Sequence, residues 1–99
     1  MTFKFNATKG GNVVPVSLIV FKQMLNDRHS IYIGVFGNQN ALDDDKLADS
    51  SLEEIYKGFN SYLMKNNIEL DTVLHTNTKP DEQHIYDTYK EYEFMLFRK

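Results

Sequence analysis

The strongest constraint on the fold is one amphipathic stretch in the middle of the chain. Six apolar residues recur there at the i, i+3, i+4, i+7 spacing that places side chains on one face of an α-helix. They are Leu52, Ile55, Tyr56, Phe59, Tyr62 and Leu63. Ser50 with Glu53, and Ser51 with Glu54, each match the capping-box pattern of a helix start, and the two asparagines at 66–67 favour a left-handed stop. The sequence therefore predicts a helix that packs one stripe against a core.

Three further segments have the pattern of β-strands. Residues 2–8 alternate apolar and polar side chains, which is the period of a strand with one face in solvent, and Gly10 and Gly11 then predict a turn. Residues 30–37 form a nearly continuous β-prone apolar run, which predicts a central strand covered on both faces. Residues 68–76 predict a third strand.

The segment 13–26 is ambiguous between strand and helix. Its β-branched residues favour a strand, while Val14, Leu18, Phe21 and Leu25 lie at helical spacing. Pro15 would remove a hydrogen bond from a central strand but suits the first turn of a helix. We therefore favour a helix over residues 15–26, with the strand as the open alternative.

Two interpretations also compete at the end of the chain. After the turn predicted by Pro80 and Asp81, residues 83–91 are either a strand paired with residues 68–76 or a short helix. A helix followed by a last strand at 92–97 is favoured.

These elements predict one α+β domain over residues 1–99. We expect a two-layer sandwich, with a mostly antiparallel sheet of about four strands and two main helices on one face. A chain of 99 residues builds one core.

Charge is distributed unevenly along the sequence. Residues 1–40 carry four basic residues and one acid, whereas residues 41–99 carry thirteen acids and seven bases. The second half lacks the clustered Lys and Arg that bind a phosphate backbone, so direct nucleic-acid binding is not expected there and a basic partner is. The absence of a long apolar run, of an export signal and of cysteine predicts a cytoplasmic protein without a membrane segment.

The acidic residues at the start of the amphipathic stretch partly match the template of a calcium-binding loop. Asp43, Asp45, Asp49, Ser51 and Glu54 fall at five ligand positions of that template. However, the template needs an oxygen ligand at the fifth position and a glycine at the sixth, where this chain has leucine and alanine. The acids are better explained by the favourable interaction of negative charge with a helix start, and no metal site is predicted.

The three imidazoles do not predict a site either. His75 and His84 would approach each other only if residues 83–91 were a strand, and two ligands do not complete a zinc site. No motif presents a nucleophile beside a base, and no cofactor motif is found. The chain is therefore expected not to be an enzyme, the alternative being a ligand or catalytic pocket near His29, Tyr32 and His75.

By elimination, the sequence predicts a small non-enzymatic protein-binding or regulatory domain, of the inhibitor, antitoxin, immunity or phage anti-host type. Its partner would have a basic surface, attracted by six acidic residues and contacted by exposed tyrosines. The six are Asp43, Asp44, Asp45, Asp49, Glu53 and Glu54. A DNA mimic that inhibits a nucleic-acid-binding protein is one alternative. A structural homo-oligomer, with a homodimer formed through an open sheet edge at 94–97, is another.

Overall fold

The alternation in the first residues and the two glycines after them produce the first hairpin of a sheet. The computed structural model describes residues 1–38 and 45–97. Its strands are β1 (Thr2–Lys9), β2 (Asn12–Met24), β3 (Ser30–Asn38), β4 (Asp45–Asp49) and β5 (Ile68–Asn77). Its helices are α1 (Leu52–Lys65) and α2 (Gln83–Leu96), with a 3₁₀ turn at Pro80–Glu82 before α2. The predicted α+β class, with two helices on one face of an antiparallel sheet, is confirmed, but the described sheet has five strands instead of about four.

Several local predictions are confirmed. The stripe predicted from residue 52 is the buried face of α1. Gly10 and Gly11 have φ angles of 57° and 82°, and Asn67, after the end of α1, has a φ of 56°. These left-handed conformations explain why glycine and asparagine end their elements.

The predicted helix at 15–26 is wrong, because this segment is the strand β2. Its buried residues Val16, Leu18 and Val20 alternate as a strand requires. Pro15 is tolerated because it lies at the edge of the sheet. β3 pairs with β2 only from Val16 onward, so Pro15 and the residues before it have β1 as their single neighbouring strand.

The predicted last strand at 92–97 is also wrong, since α2 continues to Leu96. Ile85, Tyr89 and Leu96 are buried on one side of this helix, and packing on that side overrides the β-propensity of the aromatic residues. There is consequently no sheet edge at 94–97. β4, which begins in the acidic stretch before α1, is an edge strand of the described sheet and pairs there with β3 alone.

The capping boxes predicted for α1 are not formed. Ser51 is the N-cap, but its hydroxyl makes no capping hydrogen bond. The Asp49 carboxylate accepts a hydrogen bond of 2.9 Å from the Ser51 backbone N–H instead. A carboxylate at a helix start also interacts favourably with the helix dipole.

The strand order β4-β3-β2-β1-β5, with every pairing antiparallel, makes the two edge strands run in the same direction. α1 therefore crosses the whole sheet between them. α2 follows β5 and runs back along it, so both helices end near the start of β5. β3 is central, as predicted, but the helices cover only one of its faces.

The core lies between the sheet and the two helices. Phe3, Phe5 and Ala7 of β1 are fully buried in it, and the Phe3 and Tyr89 rings lie 4.4 Å apart. Phe59 of α1 packs near Phe5, with 5.8 Å between ring centroids. Aromatic side chains thus connect both helices to the first strand.

The hairpin of β2 and β3 extends beyond its neighbouring strands. The pairing of β2 with β1 ends at Ile19, and the pairing of β3 with β4 ends at Tyr32. Residues 22–31 therefore form a two-stranded arm. At its tip the Asn26 side-chain oxygen accepts hydrogen bonds from the backbone N–H groups of Arg28 and His29. None of the helices in the described residues is long and apolar enough to span a bilayer.

Candidate protein-binding surface

The structure describes four of the six acidic residues predicted to bind a partner. Asp43 and Asp44 lie outside the described residues. Asp45 and Asp49 are the two ends of β4, about 13 Å apart along a strand of this length. Asp45 lines a cavity with Lys65 near the end of α1, whereas the Asp49 carboxylate accepts a hydrogen bond from the backbone N–H of Ser51, just before the start of that helix.

Glu53 and Glu54 point to different sides of α1. Glu53 forms an ion pair of 3.1 Å with Lys57 and lies near the Tyr92 side chain of α2. The Lys57 hydrogen bond, with a smaller contribution from Tyr92, lowers the pKa of the Glu53 carboxyl. Glu54 is exposed, and as a neighbour of Gly58 along the helix it lies on the side of β4. The described acidic residues therefore do not form a single cluster.

A second acidic stripe lies on α2 and was not predicted as a site. Asp87, Glu91 and Phe94 follow one another at the i, i+4, i+7 spacing of one helix face, opposite the buried residues. All three are exposed, and Phe94 has 77% of its surface in solvent. The acidic stripe, as we call these three residues, combines an aromatic ring with two carboxylates.

Among the described residues, Lys90 is the cation nearest to the acidic stripe along α2, and it is engaged elsewhere. Lys90 forms an ion pair of 3.0 Å with Glu93, and this contact raises the pKa of the Lys90 ammonium group. Asp87 accepts a hydrogen bond of 2.9 Å from the Gln83 side chain, which leaves its charge uncompensated by that partner. The helical spacing of Asp87, Glu91 and Phe94 was a usable signal, but the predicted strand at 92–97 obscured it.

The tyrosines contribute mainly to the core, contrary to the expectation that they would be exposed contact residues. Tyr56, Tyr62 and Tyr89 are buried, and the others of the chain are half-buried. The Tyr56 hydroxyl donates a hydrogen bond of 2.8 Å to the Ile85 carbonyl oxygen, and burial raises its pKa. Tyr92 stacks on Tyr56, with ring centroids 6.2 Å apart.

The residues considered for a catalytic pocket are not brought together. His29 lies at the hairpin tip, Tyr32 on β3 and His75 on β5, with two strands between β3 and β5. His84 begins α2, so the hairpin that would pair it with His75 does not form. Over residues 1–38 and 45–97, no three His, Cys, Asp or Glu side chains are grouped so that they could hold a metal ion.

A cavity of about 270 Å³ lies where the ends of both helices meet the start of β5. It is lined by Asn60, Leu63, Met64, Asn67, Ile68, Glu69, Leu70 and Leu96. Among the described residues, Glu69 is the single titratable one in this lining, so they offer no acid and base pair there.

Comparison of the chain with protein-family models gives no match. Comparisons with curated proteins and with solved structures give no significant match either.

Proposed function

We propose that this chain is a small non-catalytic protein-binding domain that docks through its helical side on a basic protein surface. The observation that carries the proposal is the position of Phe94, which is 77% exposed on the same helix face as the carboxylates of Asp87 and Glu91. Aromatic residues, phenylalanine included, are enriched at protein interfaces, and a phenylalanine ring exposed beside two carboxylates is therefore a candidate contact residue.

The charge of the helical layer supports a basic partner. The two helices and the 3₁₀ turn carry seven carboxylates and three lysines, a net charge of −4. In contrast, β1, β2 and β3 carry three lysines and no acid. A partner rich in Lys and Arg is therefore attracted to the helical side, and complementary charge of this kind raises association rates.

The acidic stripe also specifies the shape of the partner. The Phe94 ring would enter an apolar pocket, and the two carboxylates one turn and two turns before it would meet Lys or Arg side chains at the rim. The partner we propose has an apolar depression bordered by cations.

Of the six sequence-predicted residues, Glu54 fits this surface best because its carboxylate is exposed on the helical layer. The carboxylates of Asp49 and Glu53 already bind groups within the chain, and Asp45 lies at the far end of β4. We assign the main contact to the acidic stripe, with Glu54 contributing to long-range attraction.

Inhibitors, antitoxins, immunity proteins and phage proteins that block host enzymes include small acidic domains, and we place the chain in that group by analogy. A DNA mimic is the less favoured version. Such a mimic presents rows of anionic groups in place of phosphates, whereas each helix of this chain also carries a lysine that forms an ion pair with one of its glutamates.

The test uses a displayed library of random peptides, selected on the immobilised chain. We expect enriched peptides to contain Lys or Arg beside a large apolar residue. Phe94→Ala should weaken their binding by about tenfold or more, since residues of this type are frequent hot spots. Asp87→Asn combined with Glu91→Gln should lower the association rate and reduce its dependence on salt.

The matched control is Asp27→Asn combined with Glu69→Gln, which removes the same charge from exposed positions on the hairpin tip and β5. This control should bind normally. Enriched peptides without cations, or equal binding by the stripe variants and the control, would reject the proposal.

A further inference from the structure

The sheet face opposite the helices has an apolar patch at its centre. Ile19 pairs with Val35 across β2 and β3, and Phe21 pairs with Ile33. Ile31 continues the same face of β3 toward the arm. We call these five residues the open-face patch.

The burial pattern shows that the patch is a cluster of its own. Ile33 is only 3% exposed, yet it does not belong to the core formed with the helices. Its cross-strand neighbours are Phe21 of β2 on one side and Ala48 of β4 on the other. Ile19 and Phe21 keep 38% and 40% of their surfaces in solvent.

An antiparallel sheet with one face in water normally carries polar residues on that face. β1 follows this rule, since Thr2, Lys4, Asn6 and Thr8 alternate with its buried residues. The open-face patch on the adjacent β2 and β3 departs from it. A contiguous apolar surface of this kind, bordered by polar residues, is typical of an association site.

Charge distinguishes among the candidate occupants. The patch contains no charged residue, and Lys4 and Lys46 lie on its margins. These lysines disfavour the basic partner that suits the helical side. Two copies of this chain, each with a net charge of −3, repel each other least when their acidic helical layers face away from one another. Contact through the open face produces this arrangement.

The whole open face, with the patch at its centre, has nearly the area of a dimer interface. Four strands spaced by about 4.8 Å, over nine residues of about 3.3 Å each, give a projected area of roughly 570 Å². Because side chains make the accessible surface larger than its projection, this face approaches the roughly 800 Å² per partner of a standard interface.

We propose that the chain forms a two-fold symmetric homodimer in which the open-face patches of two copies pack against each other. The two sheets would form a sandwich about 10 Å thick between them, with a pair of helices on each outer side. Such an isologous contact closes on itself and leaves both acidic stripes accessible.

The arm gains cover from the same contact. It is a two-stranded ribbon, which is marginally stable alone, and Leu25 near its tip is 58% exposed. Leu25 continues the row of Ile19 and Phe21 toward the tip of the arm.

Sedimentation equilibrium over a range of concentrations is the first test. We expect the wild type to reach twice its chain mass of 11.6 kDa. Ile19→Asp and Phe21→Asp should each return the mass of one chain, because a dimer would bury the new carboxylates. Val73→Asp is the matched control, since Val73 is also a strand residue with 39% exposure but pairs with Phe5, on the helical side.

A second test does not depend on destabilising variants. Since the chain has no cysteine, Ser17→Cys on the open face and Ser61→Cys on α1 each give one site for a nitroxide label. Labelled chains are mixed with unlabelled ¹⁵N chains. The Ser17 label should broaden the amide resonances of Ile19 and Val35 in the other copy, and the Ser61 label should not.

A wild type that is monomeric at every concentration overturns the proposal and leaves the face to a different partner. A dimer lost equally in Val73→Asp, or broadening from the Ser61 label alone, also overturns it. These outcomes are independent of peptide binding by the acidic stripe.

Discussion

Ile55 of α1 packs directly on the backbone of Gly34 in β3. A Cβ atom built at residue 34 would lie 2.6 Å from Ile55 Cγ2, which is closer than side chains approach each other. Both residues are buried, and Cγ2 is attached to the branched Cβ of Ile55, so it cannot move without the helix. The absence of a side chain at residue 34 therefore sets how closely α1 approaches the sheet.

We expect Gly34→Ala to lower the free energy of unfolding by about 1 to 3 kcal/mol, the usual cost of overpacking a core. Alanine would otherwise be favoured over glycine within a strand. Urea denaturation measures the change. In an Ile55→Ala background the same substitution should cost less, because the contact has been removed. Additive effects of the two substitutions would contradict this account.

Gly58→Ala should behave differently although it also introduces a contact. The added Cβ would meet Leu47 Cδ2, the end of a half-buried and rotatable side chain on the edge strand β4. Alanine within a helix is favoured over glycine by about 1 kcal/mol. We expect a change between zero and about 1 kcal/mol of added stability, with the full gain in a Leu47→Ala background. Thermal unfolding of the four chains tests this, and a loss as large as that at residue 34 would refute it.

The Glu82 carboxylate, next to α2, accepts a hydrogen bond from the Met1 amino group, whose other contact is the Val20 carbonyl oxygen at 2.6 Å. This contact with the amino group lowers the pKa of Glu82. Because the pKa is lower in the folded state, the stabilisation is present above the unfolded value of about 4.3 and is lost as pH falls through the folded value.

Glu82→Gln should therefore lower the free energy of unfolding by about 1.5 to 3 kcal/mol at pH 7, the range for hydrogen bonds to charged groups. The difference from the wild type should shrink below about pH 4. Denaturant titrations at pH 7 and pH 3 measure both effects. Asp81→Asn, at the exposed neighbouring position, is the control and should have little effect at either pH. A difference that does not change with pH would exclude the ion pair as its cause.

The hydroxyl groups of Tyr56 and Tyr89 are both buried but differ in their hydrogen bonding. Tyr56 donates to the Ile85 carbonyl oxygen, whereas within the described residues no hydrogen bond of acceptable geometry reaches the Tyr89 hydroxyl. Burial raises the pKa of Tyr89, and the nearby Glu93 carboxylate adds to the shift, so the hydroxyl is neutral at pH 7. Proximity to Glu93 is therefore an electrostatic effect and not a well-formed bond.

Tyr56→Phe should reduce stability by about 0.5 to 1.5 kcal/mol, and Tyr89→Phe should leave it unchanged or increase it. Both substitutions keep the ring and therefore the aromatic packing. Chemical denaturation of the two variants compares them directly. A larger loss for Tyr89→Phe than for Tyr56→Phe would show that the Tyr89 hydroxyl has a partner.

The misassignment of β2 has a physical cause that also bears on association. Val16, Leu18 and Val20 alternate as in any strand, but Ile19 and Phe21 between them are apolar as well. The alternation was therefore hidden in the sequence, and helical spacing was as good a description. Ile19 and Phe21 belong to the open-face patch. The apolar residues that made the prediction of β2 ambiguous are therefore the ones that suggest a dimer.

The acidic residues illustrate a second limit. Asp45 and Asp49 are neighbours in the sequence, but an extended strand places them at opposite ends of β4. Asp87 and Glu91, which in the sequence are two of the thirteen acids of residues 41–99, share a helix face with Phe94. Which carboxylates form a surface depends on the conformation of the segment that carries them.

Sequence patterns were sufficient to predict the α+β class, the extent and buried stripe of α1, the turn at Gly10 and Gly11, and the strands β1, β3 and β5. These features depend on side-chain periodicity and on backbone conformations that few residues adopt, and both are local properties. Strand pairing and packing, which are not visible in the sequence, make residues 12–24 a strand, extend α2 to Leu96 and form β4. In those segments the local preferences are balanced or misleading, and the free energy of pairing with β3 or of packing on Phe3 and Phe5 selects the conformation.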